Sequence, residues 1–190
     1  MRFTVRDYRS EDFNIIWEID QACFPPGISY SRYELSYYLR RSGAFSLIAE
    51  SLLEIAESLL EEETAGESDF GAPEVGAGAK VEVHEILAFL VAESNRRGVG
   101  HVITIDVRSN ARRHGVGSGL LEAAEDRLHS AKCNSVRLET AVDNVSALGF
   151  YKRHGYDVIK TIPRYYSNGV DALLLEKNLL SSVCPDNLLK

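Results

Sequence analysis

Hydrophobic and polar positions recur along this chain with two different periods, and the order of the two periods predicts an α/β domain. Short apolar or alternating runs, which are typical of strands, occur at Phe3–Arg6, Ala44–Glu50, Glu85–Glu93, Gly100–Val107, Val136–Ala141, Tyr156–Ile162 and Asp171–Lys177. Apolar residues at helical spacing occur from Ser10 through Ala22, from Ser31 to Arg41, from Gly117 to Ala131 and from Asn144 to Arg153. The predicted order is β-α-α-β-β-β-α-β-α-β-β, a mixed sheet with helices on both faces.

One segment interrupts this pattern between the second and third predicted strands. Apolar residues between Leu52 and Leu60 recur at helical spacing among glutamates, which predicts a short amphipathic helix. The stretch from Thr64 to Lys80 is rich in Gly, Ala and Glu, and it predicts a flexible loop. We treat residues 51–85 as an acidic, partly flexible insertion. It is either a solvated surface or a docking surface for a basic partner.

The charge of the chain is concentrated in this insertion. The formal net charge is −7, but residues 50–85 hold eleven of the 28 acidic and one of the 21 basic residues. The remainder has 17 acids against 20 bases, a net charge of +3, which does not resemble the basic stripe of a nucleic-acid-binding protein.

Length and composition favour a single cytoplasmic domain. With 190 residues the chain suits one well-buried core, and we expect the domain to span residues 1–180 with a loose tail at 181–190. No apolar run approaches the roughly 20 residues that span a bilayer, and the N-terminus lacks the apolar core of a signal peptide. Cys23, Cys133 and Cys184 are odd in number and widely spaced, which argues against a disulfide framework or a zinc site.

A basic, glycine-rich stretch, Arg112–Gly119, lies between a predicted strand and a predicted helix. Glycines allow the backbone to approach an anion, and the first N–H groups of the following helix have no partners within that helix. The stretch matches neither the phosphate loop of nucleotide triphosphatases nor the glycine pattern of dinucleotide-binding folds. It indicates an anion site, with a plain solvated turn as the alternative.

Four motifs together give residues 100–179 a resemblance to the GCN5-related N-acetyltransferases, and within them to protein N-terminal acetyltransferases of the ribosomal-protein-alanine type. The motifs are Ile105-Asp106-Val107, Arg112-x-x-Gly115-x-Gly117, Leu138-Glu139-x-x-x-x-Asn144-x-x-Ala147-x-x-x-Tyr151 followed by Gly155-Tyr156, and Tyr165-Tyr166. Residues 1–50 match in layout only, although Phe24-Pro25 followed by Tyr30 resembles the substrate loop of the N-terminal acetyltransferases.

The resemblance implies a single domain of this family with acetyl-coenzyme A as the acetyl donor and no metal. The loop amides from Arg113 to Ser118 would hold the pyrophosphate, and the backbone of Ile105–Val107 would pair with the pantetheine amides. Asn144 would contact the cofactor, although its position also suits a plain N-cap. The implied cofactor-binding residues are Ile105, Asp106, Val107, Arg112, Arg113, His114, Gly115, Val116, Gly117, Ser118 and Asn144.

Two residues are candidates for the proton transfers that amine acetylation needs. Alternation along the strand puts Glu139 on the face away from the core, where a carboxylate could take the amine proton directly or through water. The alternative is that Glu139 pairs with Arg137 or another base. Tyr151 points inward, and a phenol protonated at pH 7 could donate to the thiolate that leaves, unless it is a plain core tyrosine. His101 and Asp106 are titratable neighbours without an assigned role.

The acceptor groove is expected to be lined by aromatic residues, Phe24 and Tyr30 on one side and Tyr165 and Tyr166 on the other. Two further tyrosines, Tyr37 and Tyr38, are expected to pack in the core.

The sequence therefore predicts an acetyl-CoA-dependent N-acetyltransferase whose acceptor is the α-amine of a protein or peptide, ribosomal proteins included. It predicts a monomer or homodimer with no nucleic acid or membrane partner. Two alternatives remain open: an acetyltransferase for small amines of the polyamine or antibiotic type, and a non-catalytic acyl-CoA-binding module.

Overall fold

A seven-stranded mixed sheet with helices on both faces forms the body of the protein. The computed structural model describes residues 1–56 and 80–180. The strands are β1 Phe3–Asp7, β2 Ala44–Ala56, β3 Lys80–Ser94, β4 Val99–Val107, β5 Ser135–Ala141, β6 Asp157–Ile162 and β7 Ala172–Asn178. The helices are α1 Phe13–Cys23, α2 Arg32–Leu39, α3 Val116–Ser130 and α4 Val145–Arg153. The predicted fold class and order of elements are confirmed.

The strand order is β1-β2-β3-β4-β5-β7-β6, and every neighbouring pair is antiparallel except β4 and β5. This parallel pair is short. It runs from Val99↔Ser135 to His101↔Arg137, although β4 continues to Val107 and β5 to Ala141. Beyond His101 the two strands separate, and we call the space between residues 102–107 and 138–141 the wedge.

The insertion is narrower than the sequence predicts. β2 continues to Ala56 and β3 begins at Lys80, with pairs such as Leu52↔His84 and Ala56↔Lys80. The helix prediction is therefore wrong for Leu52–Ala56, because pairing with a distant strand overrides the local helical spacing. The rest of the predicted helix, the predicted loop up to residue 79 and the tail at 181–190 lie outside the described residues.

Two hydrophobic clusters lie on opposite faces of the sheet. On one face α3 buries Leu120, Leu121, Ala124 and Leu128 against the sheet, and α4 contributes Tyr151 to the same cluster. On the other face α1 and α2 bury Ile16, Ile19 and Leu35 against residues of β2 and β3. One side of the wedge is therefore covered by α3 and α4, and the other side by α1 and α2.

The core prediction holds for one of the two α2 tyrosines. Tyr38 packs against the second cluster, whereas Tyr37 is 55% exposed. Ser31 caps α2 through a reciprocal capping box with Glu34, which fixes the direction of this short helix.

Among the described residues, no helix is long and apolar enough to cross a membrane. The same part of the chain contains no group of three or more His, Cys, Asp or Glu residues placed to hold a metal ion.

Candidate active site

The loop between β4 and α3 has the backbone shape of an anion cradle. Arg113 and Gly115 have positive φ angles of 67° and 84°, and Gly115 is the N-cap of α3. Such left-handed residues turn successive N–H groups toward one concave side, where the helix dipole adds positive potential. A Cβ at Gly115 would meet no atom within 4 Å, so glycine is needed there for its φ angle and not for space.

Two side chains of this loop make contacts within the fold, and their contact with a cofactor stays a prediction. Arg112 donates from Nε to the carbonyl oxygen of Val107 at 3.0 Å, and its Nη2 lies 3.6 Å from Cys23 Sγ. Arg112 therefore fastens the loop to the end of β4. Ser118 Oγ lies 3.0 Å from Nε2 of His154, which follows α4. His154 was not among the sequence candidates, because nothing near residue 154 signals a contact with the loop.

Asn144 is the N-cap of α4. Its side-chain oxygen accepts a hydrogen bond from the N–H of Ala147 at 3.1 Å. The plain N-cap interpretation of this residue is therefore satisfied, and a contact with the cofactor remains a prediction.

A β-bulge in β4 changes which side chains face α1 and α2. Val91 pairs with Thr104 and Ala92 with Val102, so that Ile103 is the extra residue. Val102 and Ile105 both pack in the cluster under α3, although they are three residues apart. After the bulge, Thr104 and Asp106 consequently point to the opposite face, toward α1.

Glu139 lies on the face of β5 away from the α3 cluster, as predicted, and its partner is a histidine. His101 Nε2 is 2.7 Å from Glu139 Oε2, and the ring's other nitrogen is 3.9 Å from Glu93 Oε1. The alternative named from the sequence, a pair with Arg137 or another base, is therefore satisfied by His101, whereas Arg137 pairs with Glu176 at 3.2 Å. Glu139 therefore remains an acceptor at the edge of the wedge, with one oxygen held by His101.

Tyr151 is 7% exposed and sits in an aromatic cluster. Its ring is 5.2 Å from Phe150 and 5.6 Å from Tyr156, each in an edge-on arrangement. Burial, with smaller contributions from Asp106 and Tyr166, raises the pKa of Tyr151 well above its ordinary value. The phenol is therefore protonated throughout the neutral range, whether it acts as an acid or only packs.

The candidate acceptor tyrosines come from two loops that touch. Tyr165 and Tyr166 stack edge-on with ring centroids 5.1 Å apart, and Ser167 beside them donates a hydrogen bond to the carbonyl oxygen of Gly27. Tyr30 lies on the Gly27 loop and packs 5.2 Å from Tyr38. The structure thus brings the predicted tyrosines of both sides together.

Electrostatic effects link these tyrosines to the two catalytic candidates. Burial raises the pKa of Tyr166 to about 12, helped by Tyr165 and Glu139, and Tyr166 in turn raises the pKa of Tyr151. Tyr165 likewise raises the pKa of Tyr30, behind the larger effects of burial and Tyr38.

Phe24, the remaining acceptor candidate, follows α1. It is half-buried, and its N–H donates to the carbonyl oxygen of Asp20 at 3.1 Å.

Two buried carboxyl groups were not assigned a role from the sequence. Asp106 is 1% exposed and accepts a hydrogen bond from Thr104 Oγ1 at 2.7 Å. Asp20 on α1 is fully buried, and its Oδ2 accepts from the N–H of Tyr30 at 2.8 Å. Burial raises the pKa of Asp106 to about 8 and that of Asp20 to about 6. The bulge that aims Asp106 at α1 leaves no sequence signal.

Comparison with known proteins agrees with the resemblance to acetyltransferases noted from the sequence motifs. The sequence profile of the acetyltransferase (GNAT) family matches residues 13–156. An uncharacterised N-acetyltransferase of Methanocaldococcus jannaschii is 42% identical over 81 residues, which are 42% of this chain and 52% of that protein. The N-alpha-acetyltransferase 30 of Homo sapiens is 40% identical over 77 residues, 40% of this chain and 21% of that protein. The chain thus spans about half of the first relative and about a fifth of the second.

A solved structure extends the likeness of fold to the whole chain. The ribosomal-protein-S18-alanine N-acetyltransferase of Escherichia coli superposes with a TM-score of 0.69 and covers 100% of both chains, at 17% identity. Since the family profile covers well over half of the sequence, the resemblance noted from the motifs is confirmed, and the chain belongs to the acetyltransferase (GNAT) family.

Proposed function

We propose that this protein is an acetyl-CoA-dependent N-acetyltransferase that acts on the N-terminal α-amine of a protein or peptide. The observation that carries the proposal is the wedge between β4 and β5. A loop with the backbone shape of an anion cradle lies at the end of β4, and Glu139 and Tyr30 lie on the face where α1 and α2 pack. One opening is therefore bordered both by the groups that we assign to the donor and by those that we assign to the acceptor.

The donor fits the residues at the loop end of the wedge. The amides between Arg113 and Ser118 suit a pyrophosphate, because they open a 15-residue helix at its positive end. Along residues 105–107, β4 has separated from β5, which suits an extended chain with amide groups. When bound, acetyl-CoA supplies an acetyl thioester, whose carbonyl carbon is open to attack by an amine.

Glu139 is the proposed proton acceptor for the incoming ammonium. A carboxylate 18% exposed at the edge of the wedge can contact both the acceptor and water. His101, at 2.7 Å, holds the carboxylate in one orientation and is placed to receive the proton next.

Tyr151 is the proposed proton donor to the departing sulfur. Its pKa is raised by burial, so the proton is present at neutral pH. Because a thiolate is a weaker base than a phenolate, this transfer depends on the breaking of the carbon–sulfur bond and leaves a phenolate that must be protonated again. A backbone N–H of β4 beside the wedge would stabilise the oxyanion that forms during transfer.

A peptide acceptor is favoured by the tyrosines of the two loops that touch through Ser167 and Gly27. Tyr30, Tyr165 and Tyr166 offer flat apolar surface with polar ends, as an extended peptide terminus requires. The relatives named above support an N-terminal amine, and the Escherichia coli structure suggests ribosomal proteins as the first acceptors to test.

A panel of amines tests the proposal. Peptides with different first residues, including ribosomal-protein N-termini, are compared with polyamines and aminoglycosides, and release of the CoA thiol is measured. We expect turnover with peptides and a mass increase of one acetyl group at the α-amine. Turnover with free amines alone would contradict the peptide acceptor. Tight CoA binding without turnover of any amine would contradict the enzyme.

A further inference from the structure

Two buried carboxyl oxygens have no hydrogen-bond partner among the side chains that the structure describes. They are Asp106 Oδ2 and Asp20 Oδ1. Buried polar atoms almost always have a hydrogen-bond partner, because a buried atom without one costs about 1–3 kcal/mol. Two such oxygens close to one another therefore require an explanation.

Both carboxyl groups lie where α1 meets the end of β4. Cys23 Sγ donates to the carbonyl oxygen of Val107 at 3.5 Å, which joins the two elements. Asp20 is one helical turn before Cys23, and Asp106 directly precedes Val107. The Asp20 charge contributes to the raised pKa of Asp106, as expected for neighbouring acids.

The two acids differ in what already holds them. Asp20 accepts from the N–H of Tyr30 and from Gln21 Nε2 at 2.8 and 2.9 Å, so it has a structural task in the acceptor loop. Asp106 accepts from Thr104 alone among the described side-chain contacts. Asp106 is therefore the acid that is free to exchange a proton.

Asp106 also belongs to the part of β4 that borders the wedge, and after the bulge its side chain is on the face of the sheet that carries Glu139. Its charge raises the pKa of both Tyr30, in the acceptor loop, and Tyr151, the proposed proton donor. The titratable and charged groups that interact electrostatically with Asp106 are Asp20, Cys23, Tyr30, Arg112 and Tyr151.

The chemistry leaves one proton transfer without a residue. An ammonium loses two protons when it becomes an amide. The first goes to Glu139, and one proton must finally reside on the sulfur. Tyr151 supplies that proton, and because it is buried it cannot recover one from bulk water. A group between Tyr151 and the acceptor nitrogen would carry the second proton directly to the phenolate, whereas the Glu139–His101 pair leads the first proton away from it.

We propose that Asp106 is this group, and that it returns a proton to Tyr151 and takes the second proton from the acceptor nitrogen. The inference rests on the proposed function. The nitrogen–carbon bond forms and the carbon–sulfur bond breaks as Tyr151 gives its proton to sulfur. Asp106 then protonates the Tyr151 phenolate, and the resulting carboxylate takes the proton left on nitrogen. Water in the wedge bridges separations longer than a hydrogen bond.

The protonation state of Asp106 agrees with this order of steps. With a pKa raised to about 8 by burial, the carboxyl carries its proton at neutral pH and can donate first. Above about pH 8 the proton is lost, so the turnover rate is expected to fall on the alkaline side.

Asp106→Asn tests the proposal, because it keeps the shape and removes the proton. Rates are measured from about pH 6 to about pH 9 with whichever amine the wild type acetylates, so the test does not depend on the peptide assignment. We expect kcat to fall by about tenfold or more, with the KM for acetyl-CoA within about twofold of the wild type and no alkaline decline near pH 8.

Thr104→Val gives a second, milder test that does not need Asp106 to be replaced. The Thr104 hydrogen bond lowers the pKa of Asp106, so its loss should move the alkaline decline to higher pH. A residue that served only to pack would leave this position unchanged. Thermal unfolding verifies that each variant folds, and if Asp106→Asn does not fold, Thr104→Val decides alone.

The proposal is overturned if Asp106→Asn keeps kcat within about twofold over the whole pH range, or if Thr104→Val leaves the alkaline decline in place. If Glu139→Gln and Tyr151→Phe are impaired while Asp106→Asn is not, the acetyltransferase mechanism stands and the role of Asp106 alone is rejected.

Discussion

The two ends of the wedge are built from different parts of the chain. We propose that one end holds the donor and the other the acceptor, and we call them the donor end and the acceptor end. The donor end is backbone: left-handed residues at Arg113 and Gly115 and the first turn of α3, all contiguous in sequence. The acceptor end is made of side chains from separate elements, such as Glu139 on β5 and Tyr30 before α2. A substitution at the donor end is therefore expected to act by changing the backbone conformation. A substitution at the acceptor end is expected to act by removing a reactive or binding side chain.

The largest expected effect is on kcat and not on the binding of acetyl-CoA. Glu139→Gln removes the proposed proton acceptor and should lower kcat by about 100-fold, with the KM for acetyl-CoA within about twofold. Tyr151→Phe should act similarly. Steady-state kinetics with a peptide acceptor measure both. Arg137→Gln is the matched control, because Arg137 lies on the same face of β5 but pairs with Glu176. Wild-type rates in both Glu139→Gln and Tyr151→Phe would contradict the assignment of these residues as proton acceptor and proton donor.

Two glycines test whether donor and acceptor ends are independent. Gly115 and Gly169 have φ angles of 84° and 82°, and neither has an atom within 4 Å of an added Cβ. Alanine at either position should destabilise the fold by about 1 kcal/mol. Gly115→Ala should raise the KM for acetyl-CoA by about fivefold, whereas Gly169→Ala should affect the peptide KM only. Equal effects of both variants on the acetyl-CoA KM would break the comparison.

Stability should reveal the buried acid independently of turnover. Burial raises the pKa of Asp106 to about 8, because the charged carboxylate is unfavourable in the core. The free energy of unfolding should therefore decrease as the pH rises toward 8. Below the ordinary aspartate pKa the carboxyl is protonated in both the folded and the unfolded state, so stability does not depend on its ionisation. Between that pKa and pH 8 only the unfolded state loses the proton, which favours unfolding. Asp106→Asn should raise the melting temperature by about 4 °C at pH 8 and leave it unchanged near pH 4. Calorimetry at the two pH values measures the difference, and an equal shift at both would refute the pKa assignment.

The smallest expected effect concerns the contact between the acceptor loops. Ser167→Ala removes the hydrogen bond to Gly27 and should raise the peptide KM by about twofold while the acetyl-CoA KM stays constant. Ser36→Ala is the matched control, because the Ser36 hydroxyl accepts a hydrogen bond from Arg40 one turn later and, among the described residues, none from either acceptor loop. An unchanged peptide KM would show that the loop contact does not shape the acceptor site.

The donor end could be predicted from the sequence because its conformation is local. Glycine at 115 and the strand–loop–helix order are sufficient to indicate an anion cradle, and strand alternation places Glu139 on the correct face. The acceptor end depends on contacts between distant residues. The His101–Glu139 pair joins positions 38 apart, and nothing in the alternation distinguishes it from an Arg137 pair.

Two other features could not have been read locally. The bulge at Ile103 shifts the alternation of β4 by one residue, and without it Asp106 would be assigned to the wrong face. The extension of β2 through Leu52–Ala56 is decided by its pairing with β3, which is separated from it by residues 57–79.

The short parallel pair also divides the sheet into unequal parts. Strands β1 to β4 form one part and β5, β7 and β6 the other, and three residue pairs from Val99↔Ser135 to His101↔Arg137 join them. A donor lying along residues 102–107 would complete this seam with hydrogen bonds of its own. Amide exchange at the seam should then slow when the donor binds, and at 100 times its dissociation constant the donor would stabilise the fold by about 2.7 kcal/mol. The donor would then be, for one turnover, a structural element of the protein that is proposed to consume it.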